Sequence, residues 1–92
     1  MCGLVTIVTP PGREVSAEIL EAMTTRLSHR GPDDFGYACI DPHSGQSLNW
    51  VSRPPSGMLS GILIGHRRLS ILDLTAGGHQ PMSNDDGSIV IA

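Results

Sequence analysis

The sequence predicts a small α+β domain with antiparallel sheets. Three observations lead to this prediction: a β-branched run at the amino terminus, one amphipathic helical segment after it, and several short extended runs separated by turn residues. The chain has 92 residues, of which 39% are hydrophobic. A chain of this length buries only about two-thirds of the surface that it exposes when unfolded, so we expect one domain and no second core.

The first two elements have clear boundaries. Residues 2–8 are rich in Val, Ile and Thr and are followed by two prolines and a glycine, which predicts a strand beginning at the chain terminus. Ser16 is a favourable N-cap, and apolar residues recur at helical spacing after it, which predicts an amphipathic helix over 17–28. Gly31 followed by Pro32 ends that helix.

Three extended runs are predicted after the helix, at 35–41, 47–52 and 59–66, with turns rich in Pro, Ser and Gly between them. The simplest pairing of such runs is an antiparallel meander. Residues 67–81 are predicted to be irregular, and 88–92 form a last apolar run. Because the chain ends inside that run, we expect it to be a truncated domain.

Composition and charge exclude several classes of partner. The formal net charge is −3 and the pI is about 5.7, and there is no run of Lys or Arg, so we expect no nucleic-acid partner. No segment approaches the roughly 20 apolar residues of a membrane helix, so we expect no membrane association. The two cysteines lack C-x-x-C spacing and fit a reducing cytoplasm better than a secreted, disulfide-bonded domain.

Cys2 is the strongest candidate for chemistry. If Met1 is removed, Cys2 carries both a thiol nucleophile and a free α-amine that can serve as its base. An unperturbed α-amine has a pKa of about 7.7 to 8.0, so a useful fraction is free near neutral pH to accept the thiol proton. From Met1-Cys2-Gly3 alone, a small buried residue of the first strand is the competing interpretation.

Two further stretches contain charged residues in distinctive order. The stretch 28–33 places a cation pair at the helix C-terminus and an aspartate just after the break, and alone it indicates a capping and turn motif. Arg67 and Arg68 end a later run, and because successive residues of a strand face opposite sides, one can point inward and bind a carboxylate. A solvated arginine pair is the alternative.

The remaining cysteine and the histidines are predicted to have no special chemistry. Cys39 lies between Ala38 and Ile40 and is predicted to be a packed core thiol. The histidines lie far apart in sequence without metal-ligand spacing, so we expect no metal site. They are His29, His43, His66 and His79.

Three pieces in this order resemble the glutaminase domain of glutamine-hydrolysing asparagine synthetases, and the match spans nearly the whole chain. They are Met1-Cys2-Gly3, then His29-Arg30-Gly31-Pro32-Asp33, then His66-Arg67-Arg68-Leu69-Ser70-Ile71-Leu72-Asp73. The resemblance implies an amino-terminal-nucleophile amidotransferase, the first part of an α/β/β/α sandwich with antiparallel sheets. Related amidotransferases share the cysteine start and the His-Arg-Gly element, but their loop continues differently after it.

The resemblance also implies roles for individual residues. Cys2 is expected to attack the side-chain amide of L-glutamine, forming a glutamyl thioester and releasing ammonia. Arg68 is expected to bind the α-carboxylate of glutamine. The backbone of Ile71 and Leu72 is expected to form a wall of the same pocket. The loop residues that support the nucleophile end of the site are expected to be Arg30 and Asp33.

Other functional parts of the family are not in these 92 residues. The Asn-Gly-Glu element of the oxyanion site would follow the run at 88–91, and the synthetase domain that uses ATP and Mg²⁺ to amidate aspartate is absent. We therefore expect no cofactor in this segment, no glutaminase activity from it alone, and ATP and Mg²⁺ in the missing domain. A homodimer of the full-length enzyme is compatible with the resemblance.

Two alternatives remain open from the sequence. One is the amidotransferase domain of a hexosamine-phosphate synthase or of the phosphoribosyl-diphosphate amidotransferase, which shares the Cys2 chemistry. The other is a non-catalytic β-rich interaction module, which intact Met1 and an unreactive Cys2 would support.

Overall fold

A computed structural model describes residues 2–51, 54, 56–70 and 76–92 of the chain. It confirms an α+β arrangement of antiparallel sheets and one helix within those residues. The strands are β1 (Gly3–Val8), β2 (Val15–Ser16), β3 (Asp34–Ile40), β4 (Ser47–Trp50), β5 (Met58–Leu59), β6 (Ile62–Arg68), β7 (Met82–Ser83) and β8 (Val90–Ile91). The helix, α1, is Ala17–Thr25, and a single 3₁₀ turn covers Ala76–Gly78.

Helix α1 begins where the sequence predicts and ends three residues early. The Ser16 side chain accepts a hydrogen bond from the Glu18 N–H at 3.2 Å, as an N-cap does. Beyond Thr25 the α-helical pattern gives way to tighter turns, because the Leu27 N–H donates to the Thr24 carbonyl three residues back. These turns lead the chain to Gly31 at the end of the sheet.

The main sheet has the strand order β1-β6-β3-β4, and every neighbouring pair is antiparallel. The predicted meander is therefore wrong, because β6 lies between β1 and β3 instead of beside β4. The predicted run 59–66 is also divided. Gly61 adopts a positive φ of 102° and separates β5 from β6, and β6 continues through Arg68, two residues further than predicted.

The two faces of this sheet have different surroundings. The helix face packs against α1 and holds the core residues Val5, Tyr37 and Leu63 around Leu20 of the helix. Gly65 also lies on this face. The Thr24 side chain occupies the position that a Cβ on residue 65 would take, so only glycine fits there. The opposite face carries alternate residues of the same strands, among them Asp34, Gly36, His66 and Arg68 on β3 and β6.

The carboxyl-terminal part of the described chain crosses the opposite face. The final run is shorter than predicted, and its strand β8 pairs with the preceding strand β7. The segment is tied to β4 by side-chain hydrogen bonds: Asn49 donates to Ser83, and Ser47 donates to the Gly87 carbonyl. The final run therefore has a partner earlier in the chain.

Candidate functional site

Cys2 lies at the end of the sheet where β1 begins and β6 ends. Its side chain is exposed, and the Leu69 N–H donates a hydrogen bond to the sulfur over 3.4 Å. The sulfur is also 4.0 Å from the Leu69 carbonyl oxygen. The structure thus places the candidate nucleophile against the residue that directly follows Arg68.

The loop after the helix is bound to the same end of β6. The Asp33 N–H donates to the Arg68 carbonyl at 3.1 Å, and the Ser70 N–H donates to the Asp33 carboxylate at 2.8 Å. A Cβ on Gly31 would fall on the backbone of Arg67, so this close approach requires glycine. Asp33 therefore contacts the chain on both sides of Leu69, and its supporting role in a glutamine site stays a prediction.

The arginine pair divides between the two faces of the sheet, as the alternation of strand residues predicts. Arg67 is on the helix face, where its Nε–H donates to the Gly31 carbonyl at 2.9 Å and its guanidinium lies 5.2 Å from the centre of the Phe35 ring. Arg68 is on the opposite face and is only 9% exposed. Its guanidinium lies so close to Gly78 that a Cβ there would overlap it.

Other predicted site residues are placed less favourably or lie outside the described part. Arg30 is exposed, and within the described residues its side chain makes no hydrogen bond or ion pair. Its backbone N–H donates to the Leu27 carbonyl. Ile71 and Leu72, the predicted wall of the glutamine pocket, lie outside the described residues.

Cys39 has the surroundings of a structural thiol. It is partly buried on the helix face of β3, and its S–H donates to the Ser60 carbonyl at 3.3 Å. Burial and, secondarily, the nearby Asp41 carboxylate raise the pKa of the Cys39 thiol. A raised pKa reduces the thiolate fraction, which is the reactive form, so these surroundings disfavour a chemical role for Cys39.

Three titratable residues that the sequence did not connect, Asp34, His66 and His79, come together on the opposite face. The Nδ1 atom of His79 is 2.7 Å from a carboxylate oxygen of Asp34. His66 lies beside them at 3% exposure, opposite Gly36 in the strand pairing. The Asp-Phe-Gly-Tyr stretch of β3 and the later Gly-His-Gln stretch contain no local signal for this contact, because it joins residues 45 apart in the chain.

The surroundings of His66 favour its neutral form. Burial lowers the pKa of this imidazole, and the charges of His79 and Arg68 act in the same direction, whereas Asp34 opposes them. Among the described residues, the His66 Nδ1 atom has no hydrogen-bond partner. Protonating His66 would therefore place a charge beside two other basic side chains in a buried position.

Lowering the pH from about 7 to about 5 is expected to loosen β6 through His66. Because the folded-state pKa lies below the ordinary value of 6.5, the unfolded chain binds a proton that the folded chain does not, and stability falls as the pH falls below that value. Amide hydrogen exchange of residues 62–68, corrected for the intrinsic pH effect, measures this loss. His66→Gln should reduce the pH dependence of this exchange. His43→Gln, a change at an exposed histidine, should leave it unchanged. Equal pH dependence in the wild type and both variants would contradict the assignment of the effect to His66.

No group of three or more His, Cys, Asp and Glu side chains in the described part of the chain is arranged to hold a metal ion. None of its helices has the length and apolar character needed to cross a membrane.

Known proteins similar to this chain share its sequence over almost its whole length. Residues 56–92 match the family described as a glutamine amidotransferase domain. A glutamine-hydrolyzing asparagine synthetase 2 of Bacillus subtilis is 39% identical over 94 residues, which cover 99% of this chain and 10% of that protein. A putative glutamine-hydrolyzing asparagine synthetase 2 of Methanocaldococcus jannaschii is 38% identical over 82 residues, covering 89% of this chain and 13% of that protein.

A third similar protein has a different name. Amidase chry2 of Gibberella zeae is 31% identical over 99 residues, covering 97% of this chain and 12% of that protein. No solved structure matches the chain significantly. The chain spans about a tenth of the length of the curated relatives that it matches. Its predicted resemblance to glutamine-hydrolysing asparagine synthetases is confirmed by the family match and by the two similar synthetases.

Proposed function

We propose that this relative of the glutamine-hydrolysing asparagine synthetases supplies the nucleophile and the carboxylate anchor of a glutaminase site. The observation that carries the proposal is the contact between the Cys2 sulfur and Leu69, 3.4 Å from its backbone nitrogen, directly after the buried Arg68. Glutamine joins its α-carboxylate to its side-chain amide by a short chain of carbon atoms. A thiol and a guanidinium at the same end of one sheet suit the two ends of such a substrate.

In the proposed reaction, Met1 is removed and the free α-amine of Cys2 accepts the thiol proton. The thiolate attacks the amide carbon of glutamine, and the proton passes to the departing nitrogen, which leaves as ammonia. The resulting glutamyl thioester is hydrolysed by water to glutamate and the free thiol. Arg68 binds the α-carboxylate throughout, through paired N–H donors that match the two carboxylate oxygens.

The loop and strand residues around the site have supporting roles in this proposal. Asp33 fixes the chain on both sides of Leu69, because it donates to the Arg68 carbonyl and accepts from Ser70. Arg30 and the backbone of Ile71 and Leu72 complete the site by resemblance to the family. The proposed complete fold is the α/β/β/α sandwich of amino-terminal-nucleophile hydrolases. In it, the described main sheet would be part of one sheet layer and α1 would be part of the helix layer that covers it.

The ammonia acceptor is proposed from the named relatives. Two of them are called asparagine synthetases, so we assign the ammonia to the ATP- and Mg²⁺-dependent amidation of aspartate elsewhere in the complete protein, in the cytoplasm. The similarity to a protein called an amidase favours a second candidate, amide chemistry with a different acceptor or none. Supplying glutamine labelled at its amide nitrogen, together with aspartate and ATP, distinguishes the two candidates. Only the first candidate transfers the label to asparagine.

Blocking the amino terminus is expected to abolish glutamine hydrolysis by the complete protein. If a retained Met1 turns the Cys2 amine into an amide, that nitrogen can no longer accept the thiol proton, and we expect a loss of about 10² to 10⁴-fold in kcat. Glutamate release is measured for a protein with an uncleaved extension, and again after a protease exposes Cys2. Full turnover by a protein whose intact mass includes Met1 would contradict the mechanism.

A further inference from the structure

The segment around Gly78 approaches the opposite face of the sheet at backbone distance. At Gly78, a Cβ would overlap the guanidinium of Arg68. At Gly36 on β3, a Cβ would overlap the carbonyl oxygen of Gln80 and would come within 2.6 Å of Nε2 of the His79 ring. One short segment therefore packs closely against both strands beside the proposed carboxylate anchor.

The hydrogen bond between Asp34 and His79 joins this segment to β3. An ionised carboxylate can only accept, so the His79 Nδ1 carries the proton and donates to Asp34 over 2.7 Å. The other carboxylate oxygen of Asp34 accepts from the Phe35 N–H at 2.8 Å. Both oxygens are thus engaged, and the two side chains are only 18% and 28% exposed.

The location of this bond connects it with Arg68. Asp34 is the direct partner of Arg68 in the pairing of β3 with β6, and both side chains lie on the opposite face. Asp34, His79 and Arg68 all act electrostatically on the buried His66, so these four side chains lie near one another on this face. His79, which directly follows Gly78, is therefore hydrogen-bonded to Asp34, the cross-strand partner of the proposed anchor Arg68.

We propose that His79 is a positioning residue for Arg68: its hydrogen bond to Asp34 holds Gly78 against the guanidinium and so fixes the direction in which Arg68 meets the α-carboxylate of glutamine. This inference rests on the proposed glutaminase function. Among the described residues, the Cys2 sulfur has its hydrogen-bond contacts with Leu69 and none with His79. Loss of His79 affects substrate binding and leaves the chemical step intact.

The direct test is His79→Ala in the complete protein. Without the bond to Asp34, Gly78 no longer confines the guanidinium, and we expect the KM for glutamine to rise about threefold or more with kcat within about twofold of the wild type. The α-amide of glutamine lacks the carboxylate that Arg68 grips. The KM for this α-amide should be unchanged by His79→Ala. A general disturbance of the site would instead raise the KM for glutamine and the KM for the α-amide together.

A conservative variant and a matched control accompany this test. In His79→Asn, the side-chain amide can donate to Asp34 from nearly the position of Nδ1, so the KM for glutamine should return toward the wild-type value. His43→Ala removes an exposed histidine from the turn that follows β3 and should change neither KM. If His79→Ala does not fold, Asp34→Asn weakens the same bond without changing size and should raise the KM for glutamine alone.

The outcomes separate this inference from the proposed function. If the wild type shows no glutamine hydrolysis that depends on Cys2, the proposed function is wrong and the inference with it. If the wild type hydrolyses glutamine through Cys2, and neither His79→Ala nor Asp34→Asn raises the KM for glutamine selectively, the inference alone is wrong.

Discussion

Replacing Cys2 by serine in the complete protein is expected to lower the rate of glutamine hydrolysis by about 10³-fold or more, because the reaction loses its nucleophile. Serine has nearly the same size, so the N–H of Leu69, now 3.4 Å from the sulfur, can donate to the hydroxyl instead. A hydroxyl is a much poorer nucleophile than a thiol near neutral pH. Glutamate release from glutamine measures the loss directly.

Amidation that uses added ammonium should continue in the Cys2→Ser protein, since it bypasses glutamine. Cys39→Ser is the matched control, because Cys39 lies on the helix face and its S–H donates to Ser60, a bond that a hydroxyl can also make. That variant should keep both activities. Loss of both activities in Cys2→Ser, or equal loss of glutamine hydrolysis in the two variants, would contradict the assignment of Cys2.

Arg68→Lys is expected to raise the KM for glutamine roughly tenfold. Hydrogen bonds to charged groups contribute about 1.5 to 3 kcal/mol, and an ammonium cannot donate the two parallel bonds that a guanidinium gives to a carboxylate. Losing part of that contribution corresponds to about one decade in affinity at ~1.4 kcal/mol per decade. Steady-state kinetics with glutamine, checked against its α-amide, measures the effect.

Arg67→Lys should behave differently because of its position. Arg67 lies on the helix face, where it donates to Gly31 and contacts the Phe35 ring, so its replacement should loosen the loop after α1 with a smaller change in KM. Faster amide exchange at residues 28–33 would report that loosening. Equal increases in KM for the two lysine variants would show that the choice of Arg68 as the anchor is wrong.

Local patterns predicted the parts of this fold that local chemistry determines. The start of α1 follows from the Ser16 hydroxyl and the apolar spacing after it, and the division of Arg67 and Arg68 between two faces follows from the geometry of any strand. The end of the helix was less predictable. The last three predicted residues are helical by pattern, but tighter turns bring Gly31 against the backbone of Arg67.

Contacts between distant residues account for the rest. Placing β6 between β1 and β3 depends on pairing between residues far apart in the chain, and residue order alone favours a meander. The Asp34–His79 bond has no motif, since each residue is ordinary in its own turn. The roles of Cys2 and Arg68 were proposed from the sequence and stay predictions, whereas the two histidines beside Arg68 were recognised only from the pairing of the strands.

The position of β6 also affects the order of events during synthesis. Among the described strands, β1 pairs only with β6 in the main sheet, and Gly3 is opposite Arg67, so the strand that follows Cys2 must wait for more than sixty further residues. At about 5 to 20 residues per second, roughly 3 to 13 seconds pass before that partner leaves the ribosome. During this interval β1 has no partner in the main sheet, so the backbone N–H and C=O groups of Gly3–Val8 stay open to solvent until β6 arrives.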